Sequence, residues 1–143
     1  MSELSLREQN LKIVDTMLEK GLAGDFEALK QYVDPDFLCV EPDGLPYRGS
    51  YRGFEGYLGL FKALMGTFDE LRFDRLGIVA DDKSVWTRVE LHGRAKNGET
   101  FSMQVAEIWD IRNGRVFKIT PFYYDTKTLT EICERPRKAK AAS

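Results

Sequence analysis

Polar and apolar positions recur along the chain with two different periods, and the change of period divides it in two. In the first half the spacing is helical. Leu11, Val14, Met17 and Leu18 form one stripe, with Ser5 and Glu8 ahead of it in the arrangement of a capping box and Gly21 behind it, which predicts a first helix. Asp25 precedes Phe26, Leu29 and Val33 at helical spacing and Asp34-Pro35 ends the run, predicting a shorter second helix. FLCV, residues 37 to 40, reads as a short strand, and EPDGLPYRGSYRG, residues 41 to 53, as an irregular loop long enough to cover something. Phe54, Tyr57, Leu58, Phe61, Leu64, Met65 and Phe68 predict a third helix. Gly56, Gly59 and Gly66 weaken its propensity and point to close packing.

From Leu71 onward the period is two. LRFDRLGIV, SVWTRVELHGRA, TFSMQVAEIWDI and RVFKITPFYYD are strand-like runs separated by the turn signals ADDK, KNGE and RNG, which predicts a four-stranded antiparallel meander. The phase slips between Leu71/Phe73 and Leu76/Ile78, the mark of a bulge that curves the sheet. Helices first and a curved sheet afterwards make an α+β domain whose helices cover one face of the sheet. The other face also carries apolar residues, so a homodimer through the sheet is expected. After Leu129 the apolar pattern stops, so a single domain is expected over residues 1–130 and a basic, disordered tail over 131–143.

Composition narrows the partners. The 143 residues suit one core, and 21 basic against 23 acidic side chains argue against nucleic acid or an anionic membrane surface as a partner. No apolar run reaches the length of a spanning helix and no charged leader with an apolar run opens the chain, so a cytoplasmic location is expected. Cys39 and Cys133 have neither a metal spacing nor a disulfide framework. Gly-rich phosphate loops, nucleophile elbows and cysteine-histidine pairs are missing, so no cofactor and no metal are expected.

In WTRVELHGR, Trp86, Arg88, Glu90, His92 and Arg94 share one parity, and Thr87, Val89 and Leu91 the other. The reading places the charged parity inward, where Arg88, Glu90 and the only histidine, His92, would orient or polarise a ligand oxygen. A lone histidine cannot assemble a metal site. Tyr47, Tyr57, Phe61, Trp86, Trp109, Phe122 and Tyr124, with Gln104, supply surface suited to a small, hydrophobic, ring-bearing ligand.

The run AGDFEALKQYVDPDF…VEPDG…YRGFEGYLGLF, with EIWDIRNGRVFKITPFYYDTKTL after it, resembles the nuclear-transport-factor-2-like superfamily and, within it, the SnoaL-like polyketide cyclases and ketosteroid isomerases, over about residues 8 to 130. The resemblance implies a cone-shaped α+β fold in which three N-terminal helices pack on a strongly curved, mixed but largely antiparallel sheet around a deep pocket. It also implies a convex face that often pairs with a second subunit. Glu41 in VEPDG resembles the general base of ketosteroid isomerases. The tyrosine and aspartate of their oxyanion hole fall near Met17 and near Val105 or Ala106, so steroid isomerisation is not expected. Asp125 in FYYDTKTL resembles the acid/base of SnoaL-like cyclases, and equally suits a helix cap. Arg88 and Glu90 resemble the arginine-x-acid pair of limonene-epoxide hydrolases, whose second carboxylate would fall at Phe122. The leading expectation is a cofactor-free acid/base enzyme of isomerase, cyclase, dehydratase or lyase type. The alternatives are a non-catalytic ligand-binding or protein-interaction module and a limonene-epoxide-type hydrolase.

Overall fold

The computed structural model describes residues 3–137. The chain runs α1 (Leu6–Leu22), α2 (Phe26–Leu29), a 3-10 turn (Lys30–Tyr32), β1 (Val33–Glu41), β2 (Gly49–Arg52), α3 (Gly53–Thr67), β3 (Phe68–Ala80), β4 (Ser84–Ala95), β5 (Thr100–Arg112), β6 (Arg115–Tyr123) and α4 (Thr126–Glu134). The strands form one sheet in the order β2-β1-β6-β5-β4-β3, in which β1 and β6 are parallel and every other neighbouring pair is antiparallel. This is the mixed, largely antiparallel α+β cone, with a fourth helix added to the three expected.

Local chemistry explains most boundaries. Ser5 caps α1 by accepting a bond from the Glu8 amide at 3.1 Å, as the capping-box spacing predicts. The β5–β6 turn puts Asn113 and Gly114 both at positive φ, the conformation that a tight hairpin of right-twisted strands requires. The expected bulge falls between Arg75 and Gly77 of β3. Among the helical glycines only Gly56 is required by a close approach, since a Cβ there would meet the Tyr51 backbone carbonyl carbon at 2.6 Å and push α3 off β2.

Three expectations change. The strand around FLCV starts earlier and is longer, because Val33 and Phe37 also reach the core. The 41 to 53 segment is not wholly irregular, since residues 49–52 pair with β1 as an edge strand. The helix after Asp125 extends past residue 130: Leu129 and Ile132 of α4 are buried, so the folded unit includes at least residues 131–134 of the expected disordered tail. Residues 138–143 of that tail lie outside the described residues.

α4 is tied down by polar contacts that no periodicity reports. Asn97, in the β4–β5 turn, donates to the carbonyls of Ile132 at 2.7 Å and Arg135 at 2.9 Å while accepting from the Glu99 amide at 2.9 Å. Arg135 returns an ion pair to Glu99 at 3.1 Å, and Thr130 donates to the Gly44 carbonyl. Removing a buried partner leaves the remaining groups unsatisfied. Asn97→Ala is therefore expected to cost about 1–3 kcal/mol in urea unfolding and to speed amide exchange in α4 ahead of the sheet. Equal protection of α4 in both proteins would refute this.

The interior consists of two apolar clusters. One contains Val14 and Met17 of α1, Tyr57 of α3, and Phe37, Val85, Trp109 and Ile119 of the sheet. The other contains Leu45 and Tyr47 of the loop after β1, Leu91, Phe101, Met103 and Val105 of the sheet, and Leu129 and Ile132 of α4. Leu60 packs against both, and the acids Glu41 and Glu107 also lie on the inner side of the sheet.

Candidate active site

The register of the sheet sets the positions of the two acids. On β5, Phe101, Met103, Val105, Trp109 and Ile111 are buried on the inner face, and Glu107 shares their parity. Glu107 stands opposite Thr87 on β4 and Pro121 on β6. Cys39 of β1 pairs with Ile119 of β6 in parallel, so the same register two residues on sets Glu41 beside Pro121. Glu41, Pro121, Glu107 and Thr87 thus form one row across the concave face, with the two acids two strand spacings apart, about 10 Å between backbones.

Both acids are out of bulk water. Glu41 is 4 % exposed, and its Oε2 is buried without a hydrogen-bond partner. Burial first, and then the negative charge of Glu107, pushes its pKa up to about 7, while the Cys39 thiol, 3.8 Å from Oε1, opposes the rise. Burial likewise pushes Glu107 up to about 7, with the Thr87 hydroxyl beside it opposing the rise. Glu107 is partly buried, and some of its surface remains accessible. The charge of Glu107 acts on Glu41, so the titrations of the two acids are linked.

The surrounding groups are neutral donors. Burial raises the phenols of Tyr47, Tyr57 and Tyr123 and the Cys39 thiol well above their ordinary values, so none of them ionises near neutrality. Tyr47 donates to the Tyr123 hydroxyl at 2.6 Å, and Tyr51 donates to the Tyr47 carbonyl at 2.7 Å. Trp109 Nε1 is buried and has no hydrogen-bond partner, and Thr87 Oγ1 is buried with the Glu107 carboxyl beside it. Among the described residues no three His, Cys, Asp or Glu side chains are placed to hold a metal ion.

Of the residues singled out from the sequence, Glu41, Tyr47, Tyr57 and Trp109 are buried in the interior and Phe61 packs against its α1/α3 side. The placement expected for the charged strand parity is corrected. Val85, Thr87, Val89 and Leu91 are the inward set of β4, so Arg88, Glu90 and His92 lie on the outer face, because adjacent residues of a strand point to opposite sides. There Arg88 donates to Gln104 at 2.9 Å, and His92 contacts Asp74 at 3.1 Å and Ser102 at 2.7 Å. Neither Arg88 nor Glu90 faces the interior, which removes the limonene-epoxide-type arrangement.

Trp86, Gln104, Phe122 and Tyr124 are outside as well. With Arg88 and Val79 they line a shallow concavity of about 540 Å³ on the convex face. Asp125 is the N-cap of α4: it accepts from the Thr128 amide at 2.9 Å and from the Thr128 hydroxyl at 2.6 Å. Those bonds hold its carboxyl below the usual carboxylate range, the opposite of what a base working near neutrality needs.

Sequence reasoning missed Glu107 and Thr87. The signal was present: in FSMQVAEIWDI, Glu107 is the one acid in the otherwise apolar parity Phe101, Met103, Val105, Trp109 and Ile111. Thr87 interrupts Val85, Val89 and Leu91 in the same way.

The sequence profile of the SnoaL-like domain matches residues 14–119, most of the chain. The protein belongs to the SnoaL-like domain family. No curated protein matches its sequence at a significant level. Among solved structures it is similar to Bal32a from a soil-derived mobile gene cassette, with a TM-score of 0.82 and 19 % identity over 91 % of this chain and 100 % of that one. TerC, co-crystallised with polyporic acid, has a TM-score of 0.78 and 17 % identity over 89 % of this SnoaL-like chain and 99 % of TerC. A candidate SnoaL-like polyketide cyclase from Jannaschia sp. CCS1 has a TM-score of 0.76 and 16 % identity over 95 % and 99 % of the two chains. At these identities the likeness establishes the fold.

Proposed function

We propose that this SnoaL-like protein is a cofactor-independent acid/base enzyme that moves a proton on a small hydrophobic cyclic or aromatic substrate, in a reaction of isomerase, cyclase, dehydratase or lyase type. The observation that carries the reading is the pair Glu41 and Glu107 on the inner face of the sheet, whose pKa values burial brings near neutrality. Glu41 is the base: Oε2 carries no hydrogen bond, and the Cys39 thiol on Oε1 favours the ionised form. It takes a proton from a carbon next to a carbonyl, the electron pair moves onto the carbonyl oxygen, and protonated Glu107 supplies a proton to the substrate. The co-crystallisation of TerC with polyporic acid supports a small-molecule ligand for this fold.

A substrate-independent test is α-hydrogen exchange of 2-tetralone in D2O followed by NMR. Wild-type protein is expected to catalyse the exchange, with a bell-shaped pH dependence centred near neutrality. No exchange above the buffer rate would end the acid/base reading and favour a binding module.

We also propose that the convex face pairs two copies. Val79, Trp86, Phe122 and Tyr124 (the last 85 % exposed) form an apolar patch there, with charge at its edge from Arg88. Trp86→Glu places a charge in that patch and is expected to convert dimer to monomer in sedimentation velocity. A wild-type monomer at tens of micromolar would refute the pairing. The free thiols of Cys39 and Cys133 fit a reducing compartment such as the cytoplasm.

A further inference from the structure

A second concavity lies away from the acid pair. It encloses about 520 Å³ between the first two turns of α1, the β3–β4 turn and the β5–β6 turn. Ile111, one of the residues that line it, is four positions along β5 from Glu107, about 13 Å at the rise of an extended strand. The acid/base reading makes no use of it.

The lining has an apolar part and a polar part. Leu6, Ile13 and Ile111 supply the apolar surface, and Leu6 is 57 % exposed to whatever enters. Gln9, Asn10 and Asp82 lie on the polar side with Arg112. Asn10 is 4 % exposed and donates from Nδ2 to the Asp81 carbonyl at 3.2 Å, while Gln9 donates from Nε2 to the Leu4 carbonyl at 2.8 Å. A carbonyl only accepts, so these bonds fix the orientation of both amides and leave Asn10 Oδ1 and Gln9 Oε1 as acceptors, without a donor among the described residues.

The charges of the lining have the same bias. Arg112 is committed, meeting Asp34 at 3.2 Å and Asp36 at 3.5 Å and lying 4.5 Å over the Phe117 ring. Asp81 is committed as well, since its Oδ1 accepts from the amides of Lys83 and Ser84 at 2.8 Å each. Asp82, exposed in the same turn, has neither an ion pair nor a hydrogen bond among the described residues. At the start of α1 the Ser5 side chain already takes up the Glu8 amide. The uncommitted side-chain atoms of Gln9, Asn10 and Asp82 are thus all acceptors, and one of them is charged. An anion would meet Asp82 with the lining's cation already paired.

We propose that this concavity binds a primary ammonium that carries an apolar group. The ammonium has three N–H donors for Asp82 and the amide oxygens of Gln9 and Asn10, and the apolar group lies on Leu6, Ile13 and Ile111. A charge-assisted bond to Asp82 favours the ammonium over an alcohol of the same shape. No bond is made or broken at this site.

The experiment compares 2-phenylethylammonium with 2-phenylethanol, its neutral counterpart, and with phenylacetate, an anion on the same ring, by NMR titration near neutral pH. Wild-type protein is expected to show saturable shifts at residues 6–13, 82 and 111–114. It binds the ammonium at least about fivefold more tightly than the alcohol and rejects phenylacetate. Asp82→Asn is expected to weaken the ammonium about 3- to 10-fold and to leave the alcohol within about twofold. Glu27→Gln, which removes an exposed charge of α2, leaves the three affinities unchanged. Equal affinity for ammonium and alcohol, wild-type ammonium affinity in Asp82→Asn, shifts confined to the surroundings of Glu41 and Glu107, or no saturable shift up to about 10 mM would overturn the proposal. The acid/base reading stands or falls separately, on the exchange of 2-tetralone.

Discussion

Glu41→Gln is expected to slow α-hydrogen exchange of 2-tetralone by about 10²- to 10⁴-fold, the range that a positioned general base contributes, with little change in ketone affinity. Glutamine keeps the length and planarity of the side chain but cannot take a proton. The two side chains are nearly isosteric, so the loss falls on the rate rather than on the dissociation constant. Glu107→Gln is expected to remove one limb of the pH profile and to leave the other, because the surviving Glu41 then titrates without a second negative charge beside it. The limb that survives shifts to lower pH. A Glu41→Gln protein that still catalyses exchange at the wild-type rate would move the base elsewhere.

The second large effect concerns stability. Each acid rises from an ordinary 4.5 to about 7 on folding, which corresponds to about 3 kcal/mol per carboxyl group. The sign follows from where the proton is held. Between about pH 4.5 and 7 the folded chain retains protons on Glu41 and Glu107 that the unfolded chain has released, so stability falls as pH rises through this window. It is fully present below 4.5 and gone above 7. Because the two sites interact, their contributions do not simply add.

The protein is therefore expected to show a higher urea midpoint at pH 5 than at pH 8. Glu41→Gln/Glu107→Gln should be nearly flat over the same interval and more stable than wild type at pH 8. Asp34, Asp81 and Asp125 are held below their ordinary 3.8 and lose stabilisation only as pH falls further, outside the window. The Asp74–His92 contact is present in both proteins, so the comparison cancels it. A wild-type midpoint that rises with pH, or a double variant with the same slope as wild type, would contradict the burial of the pair.

The two expectations share one physical origin. An interior that disfavours charge makes the carboxyl groups useful near neutrality and makes the fold less stable there. The protein's two apolar clusters could have met in a wholly apolar core, and instead the carboxyl groups of Glu41 and Glu107 and the Thr87 hydroxyl lie within the interior. Fully apolar replacement of the pair is expected to stabilise the fold for the same reason that it would abolish the chemistry.

The sequence alone determined the kind of architecture. Capping at Ser5, turn chemistry at Asn113-Gly114 and the change of period from helical to alternating are local properties, and the structure carries each of them. Glu41 was legible because an acid followed by proline and glycine at a strand end resembles a known base. The inward side of β4 was not legible. Alternation states which residues share a face and leaves open which face is covered, and here Trp86 on one side and Thr87 on the other blur the contrast in polarity.

Only the tertiary structure decided that face, through the helices that pack on Val85 and the α4 segment that closes over Leu91 and Met103. The same packing sent Arg88, Glu90 and His92 outside and set Asp125 as a cap. It also joined Glu41 to Glu107, 66 positions away along the chain, through a parallel β1–β6 pairing that no local pattern encodes. A desolvated acid pair is a property of distance and burial, and both are set by contacts remote in sequence.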